Sequence, residues 1–308
     1  MDVDPERPLA HRGGARRRER TVRGRGVAVG ELGHGGHPPT RGYPGRMTRW
    51  IELEGVVNMR DMGDLPTSDG RRTRTGRLIR SDNLQDLSPT SVSHLVDVLG
   101  VTDVVDLRST LEHRVTGEGP LRAAGLAHHH HSLVVESDDD SRTVDEALAL
   151  RFQPDGAGGR PKPVRDADFW GRHYTGYVTQ RPDSVGAALA AVSRSPGGAI
   201  VHCAAGKDRT GTVVGMALSV AGVPDEEIVA DYVLSAERIE RIIDRLIDVE
   251  PYKYSLPSHT IDEQRPRAES ITAVLDHLRD AHGGAEAWLR ERGWSEEDVA
   301  RLRSRLLD

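Results

Sequence analysis

Beyond Trp50 the chain alternates short apolar runs with polar turn signals, and the spacing of those runs predicts a series of strands and helices. RLIRS (77–81) reads as a short strand. SPTSVSHLVDVLG (88–100) reads as a helix: Ser88 caps it, Pro89 takes the first helical position, Val92, Leu95, Val96 and Val98 share one side, and Gly100 stops it. VTDVVDLRS (101–109) predicts a buried strand of the parallel type, and GLAHHHHSLVV (125–135) a third strand. Strand, helix and strand joined by short links are the signature of an α/β sheet.

Residues 136–167 break this rhythm with an acidic run, a brief helical piece and a Gly/Pro stretch, reading either as a lid or substrate loop or as an inert insertion. Helical patterns follow at 167–180 and 181–195, then the strand GAIVHC (198–203) and a helix at 209–222. The C-terminal third is helical, with acidic first turns and helically spaced apolar residues at 224–247, 268–284 and 295–308. The expected fold is α/β, a central mostly parallel sheet flanked by helices, in one domain spanning 47–308 and ending in a helical part.

Composition changes this picture at the N-terminus. Residues 1–46 carry ten Arg against five acids, are rich in Gly and Pro, and lack hydrophobic periodicity; such a stretch cannot offset its own ordering entropy. It is expected to be a disordered tail, with a basic arm as its functional alternative, and Met47 is a candidate native start. The rest of the chain is acidic and the net charge is -6, which argues against nucleic acid as a partner. One cysteine in 308 residues excludes a disulfide framework and points to a reducing, cytoplasmic setting. No apolar run approaches the roughly 20 residues needed to span a bilayer as a helix. Nothing in the sequence signals an oligomeric state.

That single cysteine lies in AIVHCAAGKDRTGTVVGMALSVAG (199–222). With Cys203 at the end of a strand and a helix beginning near Arg209, the intervening residues Ala204, Ala205, Gly206, Lys207 and Asp208 form a loop at a helix N-terminus. Such a loop directs backbone N–H groups inward and makes an anion site favoured by the helix dipole. Gly206 is expected to let the backbone approach the ligand closely. Arg209 offers a planar fork that holds two phosphoryl oxygens, and its charge with the helix dipole stabilises the Cys203 thiolate. The predicted chemistry is attack of the thiolate on phosphorus, a cysteinyl-phosphate and its hydrolysis, with no metal or other cofactor. Thr210 is placed to donate its hydroxyl to the departing sulfur, and His202 to support the loop. The loop does not match the G-x-x-x-x-G-K-[ST] nucleotide pattern.

HCAAGKDRTG resembles the signature loop of cysteine-dependent protein tyrosine phosphatases, in particular the bacterial branch similar to protein tyrosine phosphatase B, whose loop reads H-C-x-A-G-K-D-R-T-G. NMRDMGDLPTSDGRRTRTGRLIRSDNL is similar to that branch's N-F-R-D-L-G-G motif, and VVDLRSTLE to its D-L-R-S-x-x-E segment; together with GVPDEEIVADYVLS and the closing GG...WLRERGWSEEDVARLRSRLLD, the resemblance covers about residues 50–308. It implies a protein tyrosine phosphatase-like α/β sheet and phosphomonoester hydrolysis on phosphotyrosine proteins, with dual-specificity or phosphoinositide activity as an extension. It implies Cys203 as nucleophile and Arg209 as phosphate clamp. Lys207, one of only three lysines, is the residue that in lipid-active phosphatases is linked to further inositol phosphates; its plainer role is to neutralise Asp208.

No W-P-D segment supplies a general acid, so Asp208 is the first candidate and Asp106 the second, with helix-dipole stabilisation and a pair with Arg108 as their respective structural roles. Asn58, Arg60 and Asp61 are expected to hold a turn beneath the site, Arg108 and Glu112 to form a structural pair, Asp138–Asp140 to be a solvated loop, and His128 to His131 to alternate across a strand. Two other classes compete. A catalytically weak phospho-binding pseudophosphatase has no need of the thiol, and a sulfurtransferase or arsenate reductase is disfavoured by the AGKDRTG continuation and the lack of a second cysteine.

Overall fold

The computed structural model describes residues 49–136, 167–254 and 256–308. The tail 1–46, the residues 137–166 of the irregular stretch, and Asp138–Asp140 within it lie outside the described residues. A five-stranded sheet forms from β1 (Arg60–Asp61), β2 (Leu78–Ser81), β3 (Val101–Asp106), β4 (Ala127–His130) and β5 (Gly198–His202), in the spatial order β1-β2-β5-β3-β4. Only β1 runs antiparallel to its neighbour; the other three pairings are parallel, with Ser81 and Asp106 both facing His202 at the carboxyl ends of their strands. The strands expected at 77–81, 101–109, 125–135 and 198–203 are therefore all present. The central strands β3 and β5 are largely apolar because both faces are covered, whereas the edge strand β4 is half-exposed. Along β5, Ile200 joins the core on one side with Ile79 and Val104, while Ala199 and Val201 join the larger core on the other.

Helix α1 (Pro89–Ser93) is capped by Ser88, whose side chain accepts from the Ser91 N–H, and it widens over His94–Val98 into a π-helical turn. Helix α2 (Thr110–Thr116) follows β3. Helices α3 (Ala167–Gln180) and α4 (Pro182–Arg194) lead into β5, and α5 (Asp208–Val220) leaves it. Ten of the thirteen residues of α5 are buried, because the sheet lies on one side and neighbouring helices surround the rest; a helix enclosed in this way is apolar on every face. The remainder is α6 (Asp225–Leu234), α7 (Ile239–Leu246), α8 (Ile261–Gln264), α9 (Ala268–His282), α10 (Ala285–Glu291) and α11 (Glu296–Leu306). Among the described residues no helix is long and apolar enough to cross a membrane.

The single helix expected over 224–247 is broken into α6, a tight turn at Ser235–Arg238, and α7. The cause is Arg60, whose Nη2 donates to the Asp231 carbonyl at 2.8 Å. An uninterrupted helix gives that carbonyl to the Ser235 N–H, which bonds the Tyr232 and Val233 carbonyls instead. The break turns α7 over the carboxyl end of the sheet, where Ile242 and Leu246 pack with Ala204 and Tyr252.

Candidate active site

Strand β5 ends at His202 and α5 begins at Asp208, so Cys203 and the four residues after it form the connection at the carboxyl edge of the sheet. Cys203 is buried at its base. Lys207, the residue before α5, makes no side-chain cap, so the first N–H groups of the helix keep no side-chain acceptor and remain suited to an anion. Gly206 adopts φ +64°, in the left-handed region that favours glycine. The space it spares lies toward β2 and not toward the ligand: an added Cβ meets the Ser81 carbonyl at 2.4 Å. The expected close approach is thus between two segments of backbone. Ala204 and Ala205 are covered by α7 and by Val57.

Arg209 is clamped by Glu112: Nη1 donates to Oε2 at 2.5 Å and Nη2 to Oε1 at 2.9 Å. Burial works against the charge of each, but the pairing prevails; it holds the Glu112 carboxyl down at about 2 and, with the nearby Cys203 charge, lifts the Arg209 guanidinium well above its ordinary range. Glu112 also accepts the Ser109 N–H at 2.7 Å and so closes the capping box of α2. The expected Arg108–Glu112 pair is therefore corrected. Arg108 precedes the helix and turns to Asp106, donating Nε to both carboxylate oxygens at 2.9 and 3.0 Å. Burial raises the Asp106 carboxyl, but His202 and Arg108 outweigh it and hold it far below the usual range. The pair with Arg108 is the structural role expected for Asp106.

His202 is buried beside this pair, with Nε2 3.7 Å from Asp106 Oδ2 and Nδ1 3.3 Å from the Cys203 carbonyl. Burial lowers its imidazole to about 4 despite Asp106, so the folded ring is neutral. A neutral buried histidine must charge on unfolding below its ordinary value of 6.5, and the unfolded chain then binds the extra proton. Stability is expected to fall by about 3 kcal/mol as pH drops from 6.5 to 4, on the conversion of about 1.4 kcal/mol per pH unit. Urea melts at several pH values check this; His202→Gln should flatten the slope over that window.

Asp208 is held from three sides. Tyr174 and Tyr232 donate their hydroxyls to Oδ1 at 2.7 and 2.9 Å, and Lys207 Nζ lies 3.2 Å from Oδ2. Burial raises this carboxyl, but Lys207 and the two hydroxyls outweigh it, so it is lowered. Lys207 itself is buried and takes the Asp208-neutralising position. The Thr210 hydroxyl is buried without a hydrogen-bond partner. Asn58 donates to the loop carbonyls of Ala205 and Gly206, whereas Asp61 closes a separate turn by accepting the N–H groups of Gly63 and Gly76. His129 bonds Asp103 at 2.8 Å and His130 bonds the Arg108 carbonyl at 2.8 Å. Glu112, Tyr174 and Tyr232 were not legible as site residues. For Glu112 the capping-box spacing from Ser109 was a signal, though it says nothing of Arg209.

A parallel sheet delivering a thiol, an anion-receptive helix start and a clamped arginine to one edge defines a phosphate-handling fold of the tyrosine phosphatase kind. The chain belongs to the tyrosine phosphatase family, whose sequence profile matches residues 51–308. It is 32% identical over 281 residues to the triple specificity protein phosphatase PtpB of Mycobacterium tuberculosis, covering 83% of this chain and 98% of that protein. A tyrosine-protein phosphatase of Nostoc commune is 37% identical over 119 residues, which span 37% of this chain and 40% of that one.

Proposed function

We propose that the chain hydrolyses phosphotyrosine in proteins through a cysteinyl-phosphate intermediate. The observation that carries this reading is the placement of Cys203 and Arg209 at the two ends of one loop, with Arg209 fixed by Glu112 in a part-buried pair. The Cys203 thiolate attacks phosphorus, the S–P bond forms as the P–O bond to the tyrosyl oxygen breaks, and that oxygen takes a proton and leaves. Arg209 and the loop amides of Ala204 to Arg209 stabilise the charge spread over the equatorial oxygens. Water then attacks the cysteinyl-phosphate, phosphate leaves, and the sulfur departs as thiolate. The unpartnered Thr210 hydroxyl is available to the sulfur at that step.

Asp208 lies inside the loop and is the first of the two acids considered from sequence; its role is to deliver the proton to the leaving oxygen. Its three donors favour the carboxylate, so in the free enzyme it is ionised; the arriving phosphate dianion supplies the opposing charge that favours its protonated form. Asp208→Asn is expected to lower kcat by about 10²-fold on a phosphotyrosine peptide, with a smaller loss on an aryl phosphate whose leaving group needs no proton. Equal losses on both substrates contradict the acid role.

The mycobacterial relative is named a triple specificity phosphatase, so more than one class of phosphate ester belongs in the same assay. With Lys207 spent on Asp208, phosphotyrosine is the preferred class. The reading is tested by phosphate release, in the presence of chelator, from a phosphotyrosine peptide, a phosphoserine peptide and a short-chain phosphoinositide. No release from any of them, with phosphopeptide binding intact, identifies a binding module instead.

A further inference from the structure

Behind the phosphate loop lies a buried charge cluster that joins three distant segments of the chain. Asp231, on α6, receives Arg49 Nη2 at 3.0 Å, Arg60 Nε at 3.0 Å and Arg80 Nη1 at 2.6 Å. The side chains of Arg60, Arg80 and Asp231 are each 1% exposed. Trp50 closes the outer side, its ring 4.9 Å from the Arg60 guanidinium and 4.5 Å from that of Arg238. One carboxylate among three guanidinium groups leaves the cluster positively charged. Burial, and then repulsion from Arg80, push the Arg60 guanidinium down to about 9. Like charges gathered out of water are costly unless their donors are answered.

Two of the donors that Asp231 does not take, Arg80 Nη2 and Arg60 Nη1, lead to the loop. Arg80 Nη2 donates to the carbonyls of Gly206 at 2.8 Å and Lys207 at 3.2 Å. Arg60 Nη1 donates to Asn58 Oδ1 at 2.7 Å. Because a guanidinium only donates, this fixes the Asn58 amide with its oxygen toward Arg60 and its nitrogen toward the loop. There Nδ2 donates to the carbonyls of Ala205 at 2.9 Å and Gly206 at 3.2 Å. The Asn83 N–H takes the Ala204 carbonyl at 2.9 Å. In a trans peptide the N–H points opposite the C=O of the same unit. Four carbonyls held on the far face therefore turn the N–H groups of Ala205, Gly206, Lys207 and Asp208 to the other face.

We propose that Asp231 is a positioning residue for phosphate binding: directly through Arg80, and through Arg60 and Asn58, it holds the loop carbonyls back so that the loop amides converge on the phosphoryl group. This rests on the reading of Cys203 as the nucleophile. The loop is then shaped before substrate arrives, and the amides lose little order on binding it. Geometry, and not charge alone, is the requirement, since one side chain must span Asp231 and two carbonyls. Lysine keeps the charge of Arg80 and cannot make that span.

The test compares the full chain with Arg80→Lys, Arg80→Met, Asp231→Asn and Asn58→Ala. For each, kcat and KM on a phosphotyrosine peptide and inhibition by inorganic phosphate are measured per folded molecule, folding being followed by circular dichroism. The expected result is a fall of about 10²-fold in kcat/KM for the Arg80 and Asp231 variants, and about tenfold for Asn58→Ala. Inhibition by phosphate should weaken in step, and Arg80→Lys should be no better than Arg80→Met. Should the variants of the charged cluster fail to fold, Asn58→Ala decides, because it leaves every pair to Asp231 in place. Lower melting temperatures with wild-type kcat/KM and phosphate inhibition overturn the proposal. Turnover that survives Cys203→Ser instead overturns the mechanism on which it rests, so the two failures are distinguishable.

Discussion

Cys203→Ser is expected to lower phosphate release from a phosphotyrosine peptide at least about 10⁴-fold while leaving the peptide bound. The sulfur sits buried at the base of the loop, so the substitution removes the proposed nucleophile and little else. A serine hydroxyl is not ionised near neutral pH and is a far weaker nucleophile than a thiolate. The anion-holding parts, Arg209 with Glu112 and the loop backbone, stay in place. Release in chelator and peptide affinity by calorimetry are the paired measurements. Lost release with retained affinity supports the covalent route; release close to wild type removes it.

Arg209→Lys is expected to cost about 10²- to 10³-fold in kcat/KM, a loss close to that of removing the side chain. The guanidinium has five N–H donors in a fixed fork, and Glu112 takes one from each terminal nitrogen. Nη1 also reaches the Leu107 carbonyl at 3.5 Å, and Nε and the second Nη2 hydrogen remain for two phosphoryl oxygens in the proposed reaction. An ammonium group offers three donors on a single atom and cannot serve a carboxylate and a phosphate from opposite sides. Inhibition by vanadate should weaken in parallel, because the loss falls on the charge and geometry of the transition state. Retention of more than a tenth of wild-type kcat/KM contradicts a bidentate role.

The strand, the loop and the helix start around Cys203 were legible because they are consecutive in the chain. Short-range signals also sufficed for four of the five strands, β1 being the one missed, and for the Ser88 cap. What escaped depends on strand order. Parallel pairing of β3 and β5 brings the segment after Asp106 beside the segment after His202, and this delivers Glu112 to an arginine 97 residues away. In sequence, Arg108 and Glu112 stand four apart and look like an ordinary helical pair. Ser109 caps the helix between them, so Arg108 lies outside it and folds back on Asp106. Asp231 looked like one more polar position on a long helix; only the fold sets it against Arg80, 151 residues earlier. The break after α6 was hidden for the same reason, since its cause is a side chain from β1.

Glu112 closes the first turn of α2 and grips Arg209 with the same carboxylate. Anyone transplanting this phosphate loop onto a new scaffold therefore inherits a second requirement. The ten residues from Cys203 to Thr212 are not a portable cassette, because the arginine arrives unaimed unless a capped helix from another strand comes with it. The smallest transferable unit is therefore the two neighbouring parallel strands with their outgoing turns, together with the Asn58, Arg80 and Asp231 supports behind the loop.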